Sequence, residues 1–356
     1  MLLDETIFLT GFPGFIAGRL VERLATEGAR FLLLVQPAFL ERARADVARI
    51  SALTNQPADN FRLLAGDITQ PSMGLEPEDL AMARAETTVL FHLAAIYNLA
   101  VAREPAQSVN VEGTRNTNAF AQTLSRLRHY HYVSTCYVAG LRTGLILETE
   151  LRHEAGFRNY YEETKYLAEL EVDQLKARLP ITIHRPSVVC GDSRNGETAK
   201  YDGIYYLIHY LRKWPGMLSL INIGNRQIRF NLVPVDFVIE AMARLVRDER
   251  AIGATLQLAD PAPLTTGELF DTIAKAVAGR GSRLMIPAPL IRTSLSLPFS
   301  QKLTGLPRAA VPYFFLSQTY DTTRSRELLA PHGVNCPPFP SYINSLVQFV
   351  EQHPKL

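Results

Sequence analysis

The chain has 356 residues, 47% of them hydrophobic and 20% charged, a composition that excludes a disordered protein. The formal charge of +2, from 37 basic and 35 acidic residues, lacks the broad cationic field that nucleic-acid binding requires. Three scattered cysteines predict neither disulfides nor a zinc site, and no histidine recurs with carboxylates at a metal-ligand spacing, so no metal is predicted. No apolar run approaches the roughly 20 residues of a membrane span, so we expect a cytoplasmic protein with no transmembrane segment.

The first predicted elements are a strand, a glycine turn and a helix. The apolar residues 7–9 precede the turn, and apolar residues recur at helical spacing after it. Gly11 permits a sharp turn, Gly14 lets the backbone approach a pyrophosphate, and Ala17 lets the helix pack closely on the strand. Free N–H groups at the helix N-terminus would bind the phosphates. The turn therefore predicts a dinucleotide site, with an ordinary turn as the alternative.

The second predicted strand, residues 31–35, ends at Gln36, where an acid would select NAD and a base would favour NADP. Gln36 does not repel a 2′-phosphate, and Arg42 and Arg44 follow it. We therefore expect NADP(H) to be favoured over NAD(H). The alternative is that both arginines lie on a solvated helix face.

Alternating strand and helix patterns continue along the chain. Strands are predicted at residues 61–65, 89–95, 131–135, 181–184 and 255–258, and helices at residues 105–124, 160–176 and 235–246. We expect Pro186 to break the sixth strand. Asp67 ends the third strand, where it can accept a hydrogen bond from an adenine amino group or serve only as a turn residue. Asn110 and Asn116 are polar residues of a helix that usually exposes such positions.

Two stretches differ from this pattern, because residues 187–232 are rich in tyrosine and residues 283–316 mix prolines with leucines. Such proline-broken apolar sequence favours a small, irregular second lobe. We predict an α/β protein with a doubly wound parallel sheet of the Rossmann type and a smaller C-terminal substrate lobe. The predicted Rossmann domain comprises residues 1–190 and 233–262, and the predicted lobe comprises residues 191–232 and 263–356.

Tyr161 and Lys165 are four residues apart in a predicted helix and so share one face. A lysine ammonium beside a tyrosine stabilises the phenolate and lowers its pKa from near 10, which allows proton transfer with a carbonyl oxygen. The pair follows Ser134 and Thr135, two hydroxyls at the predicted carboxyl edge of the sheet, where such sheets bind their ligands.

The ordered motifs together resemble those of an extended short-chain dehydrogenase/reductase, from Thr6 to about Leu258. The resemblance is carried by Thr10-Gly11-x-x-Gly14-x-x-Ala17, Gly66-Asp67-Ile68, His92-Leu93-Ala94-Ala95, Asn110-Val111-x-Gly113-Thr114, Ser134-Thr135-x-x-Val138, Tyr161-x-x-x-Lys165 and Arg185-Pro186. Gly66-Asp67-Ile68-Thr69-x-Pro71, Gly74-Leu75 and Ser134-Thr135-Cys136-Tyr137-Val138 are similar to the branch with thioester reductase domains and fatty acyl-CoA reductases. Gln36 stands where members of that branch commonly have an arginine.

The resemblance implies a division of roles. Thr135 would bond the substrate carbonyl oxygen, Tyr161 would exchange its proton, and Lys165 would lower the tyrosine pKa and hold the nicotinamide ribose. Asn110 would position a water behind the lysine, and Ser134 is the alternative hydroxyl. The implied cofactor-binding residues are Thr10, Gly11, Phe12, Gly14, Phe15, Ile16, Gln36, Asp67, Ile68, Ala94, Ala95, Lys165, Pro186, Ser187 and Val188.

These observations predict an NADP(H)-dependent oxidoreductase that transfers hydride at the carbonyl carbon of a hydrophobic acyl thioester or aldehyde. A β-keto acyl or sterol-like substrate, a nucleotide-sugar epimerase and a cofactor-binding regulator without turnover are the alternatives. The oligomeric state is left open, with a homodimer as one option. We expect an apolar acyl-binding wall in the second lobe, formed near Tyr205, Tyr206, Leu211, Leu290, Leu295 and Phe299.

Overall fold

The computed structural model describes residues 1–213, 215–282, 284–286 and 308–355, and a parallel sheet forms its centre. The described strands are β1 (Thr6–Thr10), β2 (Arg30–Val35), β3 (Phe61–Ala65), β4 (Val89–His92), β5 (His129–Val133), β6 (Gly144–Ile146), β7 (Ile181–Pro186), β8 (Val188–Cys190), β9 (Ile221–Asn222), β10 (Leu232–Pro234), β11 (Thr255–Leu258), β12 (Leu284–Met285) and β13 (Gln318–Tyr320). Seven of these form the central sheet in the order β11-β7-β5-β4-β1-β2-β3, with every neighbouring pair parallel.

Helices cover both faces of this sheet. The described α-helices are α1 (Phe15–Ala25), α2 (Leu40–Thr54), α3 (Pro77–Glu86), α4 (Arg103–Ala106), α5 (Gly113–Ala121), α6 (Tyr160–Leu175), α7 (Tyr205–Lys213), α8 (Pro215–Leu218), α9 (Val235–Arg244), α10 (Thr266–Ala278), α11 (Thr323–Leu329) and α12 (Ile343–Gln352). Apolar residues of α1, α2 and α9 form the core on one face, and those of α3, α5 and α6 form the core on the other. The predicted doubly wound α/β fold is confirmed. None of the described helices is long and apolar enough to cross a membrane.

The strand order reverses between β1 and β4, so the connections after these two strands leave the sheet in opposite directions. Such a reversal opens a crevice at the carboxyl ends of the strands, where open α/β sheets bind their ligands. The glycine turn follows β1, and the Leu93–Ala95 segment follows β4. The topology therefore brings two predicted motifs to one edge.

Two strands differ from their predicted bounds. β4 ends at His92 rather than at residue 95, because the Ala94 N–H donates to the Thr10 hydroxyl at 3.2 Å instead of continuing the ladder. β7 continues through Pro186, so the prediction that this proline breaks the strand is wrong. On the β5 side, pairing already ends where the Ser134 N–H donates to the His184 carbonyl, so the missing proline donor costs no ladder bond there.

The second lobe has its own core, which is formed mainly by α7, α10 and α12. One segment between α10 and α12 returns to the sheet: Leu328, Leu329 and Val334 pack in the core beside α1 and α9, and the Ser325 hydroxyl donates to the Gln257 carbonyl at 3.0 Å. The segment around α11, which lies within the predicted lobe, therefore packs on the sheet, and the predicted domain bounds stay a prediction. The segment around α11 has too few apolar residues for the sequence to indicate whether it joins the core of the sheet or that of the second lobe.

Candidate active site

The glycine turn after β1 has the close contacts that the sequence motif predicts. Gly11 has a φ of +94°, and a Cβ added there would lie 2.9 Å from the Ala94 backbone nitrogen. A Cβ on Gly14 would lie 2.7 Å from the Gly11 carbonyl oxygen. Gly14 caps α1 with no side-chain hydrogen bond, so the first N–H groups of this helix have no capping side chain. The turn is shaped for an anion at a helix N-terminus.

The remaining predicted residues of the turn divide into buried and accessible positions. Phe12 is buried in the core, whereas Phe15 and Ile16 are partly exposed on the first turn of α1. Thr10 is fully buried, and its hydroxyl lies 2.7 Å from His92 Nδ1. The side chains of Thr10 and Phe12 are therefore buried in the protein and not available to a cofactor.

His92 joins the turn to the helical crossover. Its Nε2 lies 3.0 Å from the Thr114 hydroxyl, which in turn donates to the Asn110 carbonyl at 2.7 Å. Burial, followed by the nearby Lys165 charge, lowers the pKa of His92 to about 3, so the ring is neutral at physiological pH. His92 therefore serves as an internal hydrogen-bond connector.

The two hydroxyls after β5 have different partners. The Ser134 hydroxyl donates to Glu169, whose other oxygen accepts from Arg185 Nε at 2.8 Å, inside a buried ion pair. The Thr135 hydroxyl instead accepts from the Tyr137 N–H at 3.2 Å and lies near Tyr161, whose pKa it lowers. Of the two candidate hydroxyls, the structure brings only Thr135 to the tyrosine.

Tyr161 and Lys165 lie on the buried face of α6, with 6% and 3% of their surface exposed. Burial raises the pKa of Tyr161, the hydrogen bond with Thr135 lowers it, and the charge of Glu162 adds to the increase. Lys165 Nζ donates to the Tyr132 hydroxyl at 3.1 Å and to the Val133 carbonyl at 2.9 Å. Burial lowers the pKa of Lys165 to about 8, against the opposing effect of Glu169. That the charge of Lys165 lowers the pKa of the Tyr161 phenol stays a prediction.

Asn110 lies in a π-helical segment, Gln107–Glu112, between α4 and α5. It is 1% exposed, which contradicts the expectation of an exposed helix residue. Its amide accepts from the Ile96 N–H at 2.8 Å and donates to the Thr164 hydroxyl at 3.0 Å. The wider turn of a π segment, which is common at functional sites, turns Asn110 inward to connect the loop after β4 with α6. A water position behind Lys165 stays a prediction.

The end of β2 forms the other end of the crevice. Gln36 Nε2 donates to Asp67 at 2.9 Å, and the second oxygen of Asp67 accepts from the Thr69 N–H at 2.8 Å. Burial by itself would raise the pKa of Asp67, but the bonds from Thr69 and Gln36 lower it. Ile68 is buried against α5, where a Cβ on Gly113 would lie 2.5 Å from its Cδ1. One oxygen of Asp67 thus serves the turn, and the carboxylate is held at the tip of β2. A hydrogen bond from an adenine amino group stays a prediction.

Ser187 follows β7 at the opposite end of the site. It is 9% exposed, and its hydroxyl has no hydrogen-bond partner. It lines a small pocket, here called the inner pocket, whose walls are Tyr137, Ser187, Val188, Arg229, Phe230, Asn231, Tyr313, Leu316, Gln318 and Tyr320. A buried hydroxyl without a protein partner is uncommon in a native structure, and a water molecule or a ligand atom in the inner pocket would satisfy it.

A second, more apolar pocket lies beyond the inner pocket. This outer pocket is lined by Tyr206, Leu207, Tyr210, Ile223, Gly224, Thr266, Leu269, Phe270, Phe314 and Phe315. The stacked rings of Phe230 and Phe314, 5.0 Å apart, separate the two pockets. Of the predicted acyl wall, Tyr206 lines the outer pocket, while Tyr205 and Leu211 are fully buried in the core of the lobe. Leu290, Leu295 and Phe299 lie outside the described residues.

Three site residues have no signal in the sequence. Tyr132 is the hydrogen-bond partner of Lys165. Because β5 contains several aromatic residues, the sequence does not indicate which of them would contact the lysine. Glu162, next to Tyr161, is fully buried although glutamate is usually exposed. Tyr313 reaches Glu162 from a distant part of the chain, where its hydroxyl donates at 2.5 Å.

The fold and this site define the class of protein. The doubly wound sheet, the glycine turn at its topological switch point, and the grouping of Thr135, Tyr161 and Lys165 at the carboxyl edge are those of an extended short-chain dehydrogenase/reductase. A family model described as male sterility protein matches residues 9–242, and the chain belongs to that family. The predicted resemblance and the class of NAD(P)-dependent oxidoreductase are confirmed.

Individual relatives agree with this assignment. The chain is 28% identical over 271 residues to the non-canonical nonribosomal peptide synthetase cpsA of Aspergillus campestris, and the match covers 70% of this chain and 25% of that protein. It is 24% identical over 278 residues to the fatty acyl-CoA reductase wat of Drosophila melanogaster, covering 67% of this chain and 53% of that protein. It therefore spans about half or less of these relatives.

Among solved structures, the chain is similar to the terminal R domain from the myxalamid PKS-NRPS biosynthetic pathway. The TM-score is 0.83 at 26% identity, and the match covers 100% of this chain and 92% of that one.

Proposed function

We propose that the chain is an NADP(H)-dependent reductase that acts at the carbonyl carbon of a hydrophobic acyl thioester or aldehyde, with Thr135, Tyr161 and Lys165 as catalytic residues. The observation that carries this proposal is the grouping of Thr135, after β5 at the carboxyl edge of the sheet, with Tyr161 and Lys165 on the buried face of α6. Two hydroxyls that meet at a ligand-binding edge can both reach one carbonyl oxygen.

The residues present fit a dinucleotide cofactor. The tight glycine turn leads directly into the N-terminus of α1, where N–H groups without a capping side chain could bind the pyrophosphate. At the other end, the Ser187 hydroxyl is buried and without a partner, as expected for a residue that bonds the nicotinamide end. Gln36, Asp67 and Ile68 would hold the adenosine, Ala94 and Ala95 would lie beneath the ligand, and Pro186 and Val188 would flank Ser187. When bound, this cofactor supplies or accepts the hydride.

The side chains of the site handle the proton. Thr135 would donate a hydrogen bond to the substrate oxygen, and Tyr161 would transfer its proton to that oxygen during reduction. Lys165, which the Tyr132 hydroxyl and Val133 carbonyl hold in place, would contribute positive charge near the phenol and a donor for the ribose. Asn110 keeps the loop after β4 against α6, and its fixed amide supports the positioning role implied by the resemblance.

The preference for NADP(H) is supported by the charge distribution at the tip of β2. Gln36 is neutral, and Arg42 and Arg44 lie on the exposed side of the following helix. These arginines are paired only with Asp46 and Glu41, at exposed positions where ion pairs contribute little. A 2′-phosphate would be a better partner for a guanidinium, since such bonds are charge-assisted and bidentate.

The hydrophobic substrate is supported by the pockets. The inner pocket begins at Tyr137, which is bonded to Thr135, and the outer pocket continues past the Phe230 and Phe314 rings. An acyl chain extending from the carbonyl would follow these apolar walls. The family relationship favours this reading over a sugar-nucleotide epimerase, whose substrate would require many polar partners.

The proposal is tested with Tyr161→Phe, assayed with aldehydes, ketones and acyl thioesters through the absorbance of the reduced nicotinamide. Losing a positioned general acid should lower turnover by roughly 10²-fold or more. Cofactor affinity should stay near that of the wild type, because the ring remains. Wild-type turnover in the phenylalanine variant would refute the assignment of Tyr161, and ketone activity without thioester or aldehyde activity would refute the substrate class.

A further inference from the structure

Tyr313 connects the C-terminal segment to the first turn of α6. Its hydroxyl donates to Glu162 Oε1 at 2.5 Å and accepts from Asn159 Nδ2 at 2.7 Å. Asn159 also caps the helix by accepting from the Glu162 N–H at 3.0 Å. Tyr313 is 4% exposed, and burial together with the Glu162 charge raises its pKa, so the hydroxyl remains a donor. One side chain therefore holds both the cap and the buried carboxylate.

Glu162 is the immediate neighbour of Tyr161 and is fully buried. Its carboxylate accepts from the Arg158 N–H at 3.0 Å, from the Arg158 guanidinium at 3.3 Å, and from Tyr313. A buried charge needs such partners, because the solvation that it has lost must be replaced. The negative charge also opposes ionisation of Tyr161. Both the position and the charge of Glu162 therefore bear on the candidate proton donor.

The same tyrosine lines the inner pocket. Its ring centre lies 4.6 Å from that of Tyr137, whose N–H donates to Thr135. Tyr313 thus contacts the neighbours of both candidate catalytic hydroxyls, Thr135 through Tyr137 and Tyr161 through Glu162. It comes from a segment 151 residues away from Glu162.

We propose that Tyr313 is a positioning residue that acts through Glu162 on Tyr161, so that docking of the C-terminal segment adjusts the proton donor. This inference rests on the proposed function, since it takes Tyr161 as the residue that exchanges the proton. Other groups face Tyr161 and would contribute to its titration: Thr135 after β5, Tyr97 after β4 and Lys165 on α6. Those that face Glu162 besides Tyr313 are Arg158, Tyr137 and Tyr320.

The experiment compares Tyr313→Phe, Glu162→Gln and the double variant with the wild type. Phenylalanine keeps the ring in the pocket wall and removes the hydroxyl with its bonds to Glu162 and Asn159. Glutamine removes the charge, keeps one acceptor oxygen and replaces the other by an amide NH2. Tyr130→Phe is the matched control, because Tyr130 is a buried tyrosine whose hydroxyl donates to Asn118 at 2.9 Å away from these contacts. The measurements are kcat and KM for an aldehyde, and the pH dependence of oxidation of the corresponding alcohol.

In alcohol oxidation the rate rises with pH as Tyr161 loses its proton. Glu162→Gln removes a charge that opposes this ionisation, so the rising limb should move to lower pH. Tyr313→Phe leaves the carboxylate charge less compensated, so the limb should move to higher pH and the rate at a fixed pH should fall about tenfold, the usual scale for a bond to a charged group. If Tyr313 acts through Glu162, the double variant should match Glu162→Gln alone.

The inference is overturned if Tyr313→Phe changes neither kcat nor the pH limb more than Tyr130→Phe does, or if the double variant loses a further tenfold. A change in thermal stability alone would also overturn the inference, because a purely structural contact would change the stability and leave kcat and the pH dependence as they are. Tyr161→Phe is assayed alongside. If it is inactive while Tyr313→Phe equals the wild type, this inference alone fails; if it is fully active, the proposed function fails.

Discussion

Lys165 shows how burial and function oppose each other at a single residue. The residue is 3% exposed, and burial lowers its pKa from 10.5 to about 8. A folded-state pKa below the unfolded value means that the unfolded chain binds more protons between these two pH values. Stability should therefore rise as pH increases from about 8 to 10.5, and the buried charge should cost stability below pH 8.

We therefore expect Lys165→Met to raise the free energy of unfolding at pH 7, to remove the rise in stability between pH 8 and 10.5, and to lower turnover by roughly 10²-fold. Denaturant unfolding at pH 7 and pH 10, combined with activity assays, measures all three. A methionine variant that is less stable at pH 7 would mean that the bonds to Tyr132 and Val133 outweigh the burial of the charge.

The proposed coenzyme preference also depends on a single residue, Gln36. With no acid at this position, NADPH should bind more than about tenfold tighter than NADH, because a charge-assisted contact to a phosphate is worth about 1.5–3 kcal/mol. Gln36→Glu places a carboxylate beside Asp67 and should reduce or reverse this preference. Competitive titration of the two coenzymes measures it, and equal affinities in the wild type would contradict the prediction.

Which of the hydroxyls of Ser134 and Thr135 lies near Tyr161 is also decided by single residues. Adjacent residues near the end of a strand point to opposite sides, so a shift of one residue exchanges their environments. The sequence places both hydroxyls at the edge of the sheet but contains no local signal for the direction of either. The distant Glu169 and Arg185 decide it by taking Ser134 into their ion pair.

At the scale of elements, the turn after β1 and the helix that follows it contain glycines with different constraints. Gly11 combines a φ of +94° with a backbone neighbour that a Cβ would approach to 2.9 Å, whereas a Cβ on Gly18, one turn into α1, would meet nothing within 4 Å. Alanine would therefore be strained at Gly11 and accommodated at Gly18.

We expect Gly11→Ala to lower stability by about 1–3 kcal/mol and to weaken cofactor binding. Gly18→Ala should instead stabilise the protein by about 0.5–1 kcal/mol, since alanine is favoured inside a helix. Thermal unfolding and coenzyme titration of both variants provide the comparison. Normal cofactor affinity in Gly11→Ala would show that the close contact of this turn with Ala94 is not needed for binding.

The crossover helix illustrates what element prediction misses. Its apolar spacing predicts residues 105–124 as one regular helix, but the structure begins it at Arg103 and contains a π segment at Gln107–Glu112. The extra residue of a π turn rotates Asn110 inward, where the Ile96 loop and Thr164 provide its partners. Since those partners come from other elements, local periodicity cannot indicate the change.

At the scale of the whole molecule, the two pockets predict a dependence on acyl length. If methylenes are buried along the outer pocket at about 0.8 kcal/mol each, two added carbons should raise kcat/KM by roughly tenfold until the pocket is full. Tyr206→Ala, which truncates a wall of this pocket, should flatten the series.

Leu211→Ala is the matched control, because Leu211 is fully buried in the core of the lobe and does not line the outer pocket. It should cost about 2–5 kcal/mol of stability without changing the length dependence. A flat series in a wild-type protein that is active on small carbonyls would remove the acyl-binding role and leave the oxidoreductase class intact.

The sequence by itself determined the parallel sheet, the glycine turn after β1 and the placement of Tyr161 and Lys165 on one face of a helix, because each depends on residues a few positions apart. Apolar runs give strands, helical spacing gives helices, and a four-residue separation gives one helix face. Only the tertiary structure decided that Thr135 rather than Ser134 meets the tyrosine, that Asn110 is buried, and that Tyr313 holds Glu162. These contacts join residues up to 151 positions apart, and their geometry exists only once the sheet edge and the second lobe have packed together.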